Sequence, residues 1–335
     1  MPIRSSIPCY PQSLQPNYTR LANGTSDMIS NPAIADSNQL IKLRYAAKEL
    51  TNFPKLQARQ MLAGGHRSHF RGRGMDFDQV RLYQPGDDVR SIDWRVTART
   101  QVPHTKVFIE ERERPILIIC DLRSSMFFGS QRLKSVVACE ISAALAWAGL
   151  AINDRVGGVI FGAQQQLDIK PKRSHHSALQ FIHGLQNFSE ALLEPQADSL
   201  NLATILEESR RLVLPGSTVF IVSDFHDLNS ECEPHLFSLA KHCNINFCQV
   251  ADNLERQLPE PALYAVGNGD RQAILDTSDN QLRENFAHQF SERENLLQKL
   301  CEQLSAGLLP FDTSEPVMQL LAKAYGKRRL ARKPN

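Results

Sequence analysis

The chain has 335 residues and a formal net charge of +2, with 42% hydrophobic and 22% charged residues. These values exclude collagen-like, coiled-coil and wholly disordered classes, and near-neutrality excludes a uniformly basic nucleic-acid binder. The longest apolar stretch, residues 141–152, is shorter than the roughly 20 residues of a membrane span. No continuous apolar core follows Arg4, which predicts no secretory leader. Seven irregularly spaced cysteines point to a reducing compartment, so a cytoplasmic protein is expected.

Residues 1–35 are rich in Ser, Pro, Asn and Gln without apolar periodicity and read as a disordered tail. Residues 36–114 form the next region. It opens on a helix with Leu40, Ile41, Leu43, Ala47 and Leu50 near helical spacing and Asp36 or Ser37 as N-cap. The stretch 59–75 contains Arg67, Arg71 and Arg73 with interleaved glycines and no acid, as in a basic loop. Val80–Tyr83, Ile92–Val96 and Lys106–Glu110, punctuated by Pro85-Gly86, predict a β-rich insert.

From 115 to 325 the pattern becomes α/β. Ile116–Cys120, Val156–Phe161, Thr218–Val222 and Ile245–Val250 read as buried strands. Leu133–Leu150, Ser177–Phe188, Leu200–Val213, Pro234–His242 and Gln281–Leu304 read as helices. A hairpin over 264–275 and a last strand at Leu308–Phe311 complete the list, and residues 326–335 are a basic tail. The alternation predicts a mostly parallel sheet with helices on both faces.

Two apolar runs end in carboxylates: the first leads into Asp121, the third into Ser223-Asp224. In open parallel sheets ligands sit beyond the carboxyl ends of the strands. Asp121-Leu122-Arg123-Ser124-Ser125 is rich in oxygen donors, which suit Mg²⁺. The same Asp121 and Ser125 also suit capping of a following helix.

This pattern resembles the von Willebrand factor A fold and its metal-ion-dependent adhesion site. The segment Gly72–Phe77, followed by Arg81-Leu82-Tyr83-Gln84-Pro85-Gly86-Asp87-Asp88-Val89-Arg90-Ser91-Ile92-Asp93-Trp94 and by Thr97–Phe108, resembles the bacterial domain of unknown function 58 family over about residues 60–250. That resemblance implies a von Willebrand A-like, non-enzymatic protein-interaction module, an adaptor or co-chaperone-like partner of MoxR-type AAA+ ATPases. It carries Asp121, Ser125, Ser199 and Asp224 over as the metal set, with Arg123 standing where the first serine belongs. A guanidinium cannot ligate Mg²⁺. Pointing inward, Arg123 would take the cation's place beside Asp121 or Asp224 and receive a partner's carboxylate; pointing outward, it would leave a weak Mg²⁺ site.

Asp87, Asp88 and Asp93 lie among Arg81, Arg90, Arg95 and Arg99. They read either as a docking surface or as a structural ion-pair network anchored by Trp94, and the pairing of charges favours the network. Two other functions stay open: a metal-dependent hydrolase or nuclease using these acids or Asp121 with Asp224, and a nucleic-acid binder through Arg67, Arg71 and Arg73. The first lacks an obvious water-activating base. The second lacks interleaved aromatics.

Overall fold

The computed structural model describes residues 31–50, 53, 75–110, 115–194, 196–267 and 272–326. They divide into two compact units, a small one within residues 58–113 and a larger one formed by the rest.

The larger unit is built on a six-stranded sheet. Its strands are β3 (Ile116–Asp121), β4 (Val156–Phe161), β5 (Gln166–Lys172), β6 (Thr218–Ser223), β7 (Asn244–Ala251) and β10 (Gly307–Asp312). They lie in the order β10-β7-β6-β3-β4-β5. All neighbours are parallel except β5, which returns antiparallel along β4.

The apolar runs are continuous because both faces of the sheet are covered. Ile116, Ile118 and Cys120 face a core shared with α1 (Ser37–Ala47), α3 (Lys134–Ala151), α4 (His175–Ala191) and α9 (Val317–Tyr325). Leu117 and Ile119 face the opposite core, with α5 (Leu202–Ser209), α6 (Cys232–Ala240) and α8 (Asn280–Leu304). α3 has the length and composition of a membrane span, but nearly all of its residues are buried within this core. The paired glycines of β4 serve packing, since a Cβ on Gly158 would stand 2.2 Å from the Phe181 ring. The expected alternation and mostly parallel sheet are present. The elements β5, α9 and the single turn at Asn253–Arg256 had no expectation; β5 contains Pro171 and two lysines.

The region boundary expected at residue 36 is corrected. Ala33 and Ala35 are buried, and Ala35 N–H donates to Ser189 Oγ at 3.1 Å, so the packed chain starts earlier. The first helix belongs to the larger unit. Asp36 caps α1, and Trp147 Nε1 of α3 donates to the Leu40 carbonyl at 3.0 Å. Phe53 is fully buried, stacked on Phe220 at 5.4 Å and edge-on to Tyr325 at 5.2 Å. The rest of the expected tail, residues 1–30, and the basic end 327–335 lie outside the described residues.

The hairpin appears as β8 (Leu263–Gly267) against β9 (Gln272–Asp276). α7 (Asn253–Arg256) is one turn that follows β7.

In the small unit, β1 (Met75–Leu82) pairs antiparallel with β2 (His104–Glu110). Between them the expected strand at Ile92–Val96 is a helix start: α2 spans Trp94–Thr100. Asp93 decides this locally, because its carboxylate accepts from the Arg95 and Val96 amides at 3.0 and 3.2 Å and so nucleates the first turn. The Pro85-Gly86 turn is present, with Gly86 at φ +104°, a conformation that favours glycine.

Candidate functional site

β3 and β6 are adjacent and parallel, with Cys120 opposite Val222. The chain leaves β3 toward β4 on one side and reaches β6 on the other, so this crest is the switch point of the sheet. The loops after Asp121 and Ser223 therefore emerge side by side.

Arg123 turns inward between them and is 2% exposed. Its Nε and Nη2 donate to the two oxygens of Asp121 at 2.9 and 2.7 Å. On its other side Nη1 and Nη2 donate to the two oxygens of Asp227 at 2.5 and 2.9 Å. Nη1 also reaches the Leu200 carbonyl at 3.4 Å. A guanidinium has five N–H donors, and these contacts use all five. The guanidinium carbon lies 5.0 Å from the Phe161 ring centre. The two acids are fixed in turn: Ser223 Oγ donates to Asp121 at 2.7 Å, and the Leu202 amide at the start of α5 donates to Asp227 at 2.9 Å. Burial opposes the charge of Arg123, but Asp121 and Asp227 more than reverse this and hold it protonated. Burial likewise opposes the Asp227 carboxylate, and Arg123 holds its pKa below the ordinary value.

A second buried cation stands one strand over. Lys134, the first residue of α3, donates to Asp224 at 2.7 Å and to Glu255 at 2.6 Å. Asp224 also accepts from the His226 amide and ring Nδ1 at 3.2 and 3.0 Å. Against the cost of burial, Lys134 and His226 hold Asp224 well below the usual carboxylate range. His226 moves the other way: burial disfavours its charge, and Asp224 more than restores it. Beyond β7, Asp252 and Glu255 form a capping box on α7. Asp252 also accepts the Ser130 amide and hydroxyl, at 2.7 and 2.9 Å, and the Thr313 hydroxyl.

The expected metal set does not assemble. Asp121 is bound on both oxygens by Arg123, and Asp224 is held by Lys134 and His226 rather than Arg123. Ser199 Oγ turns to the Ala163 carbonyl at 3.1 Å, while its neighbour Asp198 bonds Ser124. Ser125 is buried, and its hydroxyl has no hydrogen-bond partner among the described residues. No cluster of three His, Cys, Asp or Glu able to hold a metal occurs among the described residues. The donor set does not fit Mg²⁺, because a permanent cation already joins Asp121 to Asp227. Arg123, expected to receive a partner's carboxylate, is itself buried with every donor committed to this chain.

Arg67, Arg71 and Arg73 lie outside the described residues. The Asp-rich motif is only partly an ion-pair network. Asp87 pairs with Arg81 at 2.7 Å, and Asp93 approaches Lys106 at 3.7 Å. Asp88 accepts from the Arg90 amide at 2.9 Å. Arg95 is exposed and Trp94 is 67% exposed, so Trp94 is not a buried anchor.

The site residues not anticipated include Asp227, Lys134, Asp252 and Glu255, together with His226 and Asp198. Three had local signals: Asp252-x-x-Glu255 after an apolar run has capping-box spacing, and Lys134 opening a mostly apolar helix calls for a buried partner.

Fold and crest define an α/β protein with a mostly parallel sheet whose strand ends are closed by internal salt bridges. The family described as "Protein of unknown function DUF58" matches residues 79–295, and the chain belongs to that family. It is 26% identical over 292 residues to uncharacterised proteins of Mycobacterium bovis and Mycobacterium tuberculosis, covering 86% of this chain and 90% of each relative. Among solved structures it is similar to the conserved hypothetical protein BatB of Bacteroides thetaiotaomicron, with TM-score 0.38 and 12% identity over 63% of this chain and 96% of the other. It is also similar to an aerotolerance-related membrane protein of Bacteroides fragilis, with TM-score 0.37 and 13% identity over the same shares.

Proposed function

We propose that this chain is a cytoplasmic, non-enzymatic interaction module, an adaptor for a MoxR-type AAA+ ATPase, built on a von Willebrand A-like domain with a metal-independent crest. The observation that carries the reading is Arg123, saturated between Asp121 and Asp227. A built-in cation supplies the charge that a metal supplies in an intact adhesion site, so the crest keeps its shape without an exchangeable ion. The chemistry of the crest favours binding over turnover. Its carboxylates neutralise cations or accept hydrogen bonds, and no serine or cysteine hydroxyl or thiol bonds the His226 ring among the described residues. A hydrolase would need an open metal position and a water-activating base. The partner then reads the rim over the buried pairs, where Ser124, Asp198 and Ser199 are exposed and His226 reaches the surface.

The test is binding of the full chain to a MoxR-type ATPase from the same genome, without nucleotide, in EDTA and in millimolar Mg²⁺. Equal affinity in both buffers, weakened by Asp198→Arg or His226→Glu, is the expected result. No binding, binding abolished by EDTA, or phosphodiester turnover that disappears in Asp121→Ala would overturn the reading.

A further inference from the structure

The small unit carries a surface that the crest does not explain. Leu82, Val89, Trp94 and Val102 are all exposed large apolar side chains. A tryptophan two-thirds exposed is unusual, since the indole is normally among the more buried side chains. Every described acid of the Asp-rich motif is used within the unit: Asp87 by Arg81 and the Gln84 amide, Asp88 by the Arg90 amide, Asp93 by the α2 amides and Lys106. Arg81 is thereby paired, but the other three arginines are not. Arg90, Arg95 and Arg99 are exposed, and no carboxylate pairs with them among the described residues. On α2, Trp94 and Ala98 share one stripe, and Arg95 and Arg99 share the next, one turn apart in each case. The motif thus spends its carboxylates on local amides and on Arg81 and Lys106, and leaves the Arg95 guanidinium exposed next along the chain from an open indole.

We infer that this face is a docking site for an acidic polypeptide segment carrying an aliphatic or aromatic side chain. Trp and Arg are the residue types that dominate binding hot spots. Carboxylates flanking an apolar anchor would match the exposed guanidinium groups bidentately while the anchor covers Trp94. Single-stranded nucleic acid fits less well. Successive bases require several exposed aromatic faces. Here the other exposed large apolar side chains of the unit, Leu82, Val89 and Val102, are aliphatic, and the Tyr83 hydroxyl is tied to the Asp87 carbonyl at 3.3 Å. This inference is independent of the crest and of the ATPase reading.

The two tryptophans make a direct test possible, because Trp147 is buried and hydrogen-bonded while Trp94 is open. The probe is a short synthetic peptide of alternating glutamate and leucine, with a lysine-for-glutamate peptide and an oligo-dT strand in parallel, all added to the full chain. Acrylamide should quench Trp94 in the free chain, and the acidic peptide should protect it and shift its emission to the blue. Peptide anisotropy should show affinity falling about tenfold or more in Trp94→Ala and in Arg95→Glu with Arg99→Glu, and falling with salt. Both variants should keep the wild-type unfolding midpoint. The inference is overturned if Trp94 is shielded in the free chain or if the acidic peptide binds no better than its lysine counterpart. It is equally overturned if oligo-dT binds more tightly, if Trp94→Ala binds normally, or if sedimentation shows the chain self-associating through this face.

Discussion

The crest of the larger unit and the Asp-rich motif of the small unit use the same residue types in opposite ways. At the crest, Arg123 and Lys134 are almost completely buried, and carboxylates surround them. In the motif, the aspartates bond nearby backbone amides, only Asp87 takes an arginine, Arg81, and Arg90, Arg95 and Arg99 face solvent. Burial makes the difference. An ion taken out of water needs an opposite charge and saturated donors, so the crest pairs are obligatory once the loops fold over them. A half-exposed carboxylate gains most from the orphan amides at a helix start, a local bond that leaves the cation free for something else.

That contrast breaks first at Arg123. Arg123→Ala leaves Asp121 and Asp227 facing each other without a counter-charge and should cost about 3–5 kcal/mol of stability, read by denaturant unfolding. A loss within error of zero would mean the crest is not a closed buried network. Lys134→Met keeps the volume but strands Asp224 and Glu255. Because Glu255 is partly exposed, the expected loss is smaller, about 3 kcal/mol.

pH sharpens the comparison further. Asp224 and Asp227 titrate below the ordinary 3.8, so the stability they contribute is present above about pH 4 and is lost as pH falls through their lowered values. His226 titrates above the ordinary 6.5, so its contribution is complete below that pH and is lost as pH rises through the raised value. The unfolding midpoint should therefore decline on the alkaline side in the wild type, and His226→Asn should flatten that limb. The smallest effects belong to the motif. Trp94→Ala should change stability by no more than about 0.5 kcal/mol. Asp93→Ala should speed hydrogen exchange at the Arg95 and Val96 amides without moving the global transition.

The four inner strands of the sheet were legible because they are covered on both faces and so read as unbroken apolar runs, each stopping where polar residues begin. Asp121 and Ser223-Asp224 stood at those stops, and the parallel order of β3 and β6 then made their loops neighbours. An inward Arg123 beside Asp121 was one of two readings the sequence left open, but the distant partners of the crest were not legible. Asp227 meets Arg123 across 104 positions, and Lys134 meets Glu255 across 121, through loops whose path no local spacing encodes. The segment Ile92–Val96 misled because alternation over five residues describes a strand and also a capped first turn. Asp93 tips the choice only through a hydrogen bond that forms when the chain bends. Trp94 was expected inside because indole usually is, and nothing in the neighbouring residues says otherwise.

The role proposed for Arg123 is that of a bound cation. Its most direct test is the unfolding midpoint of wild type and Arg123→Ser, each measured in EDTA and in millimolar Mg²⁺. The account predicts a wild-type midpoint indifferent to Mg²⁺ and an Arg123→Ser midpoint that is lower and rises when Mg²⁺ is added, with Asp121, Asp227 and Ser125 free to offer oxygens. A wild-type midpoint that climbs with Mg²⁺ would contradict it.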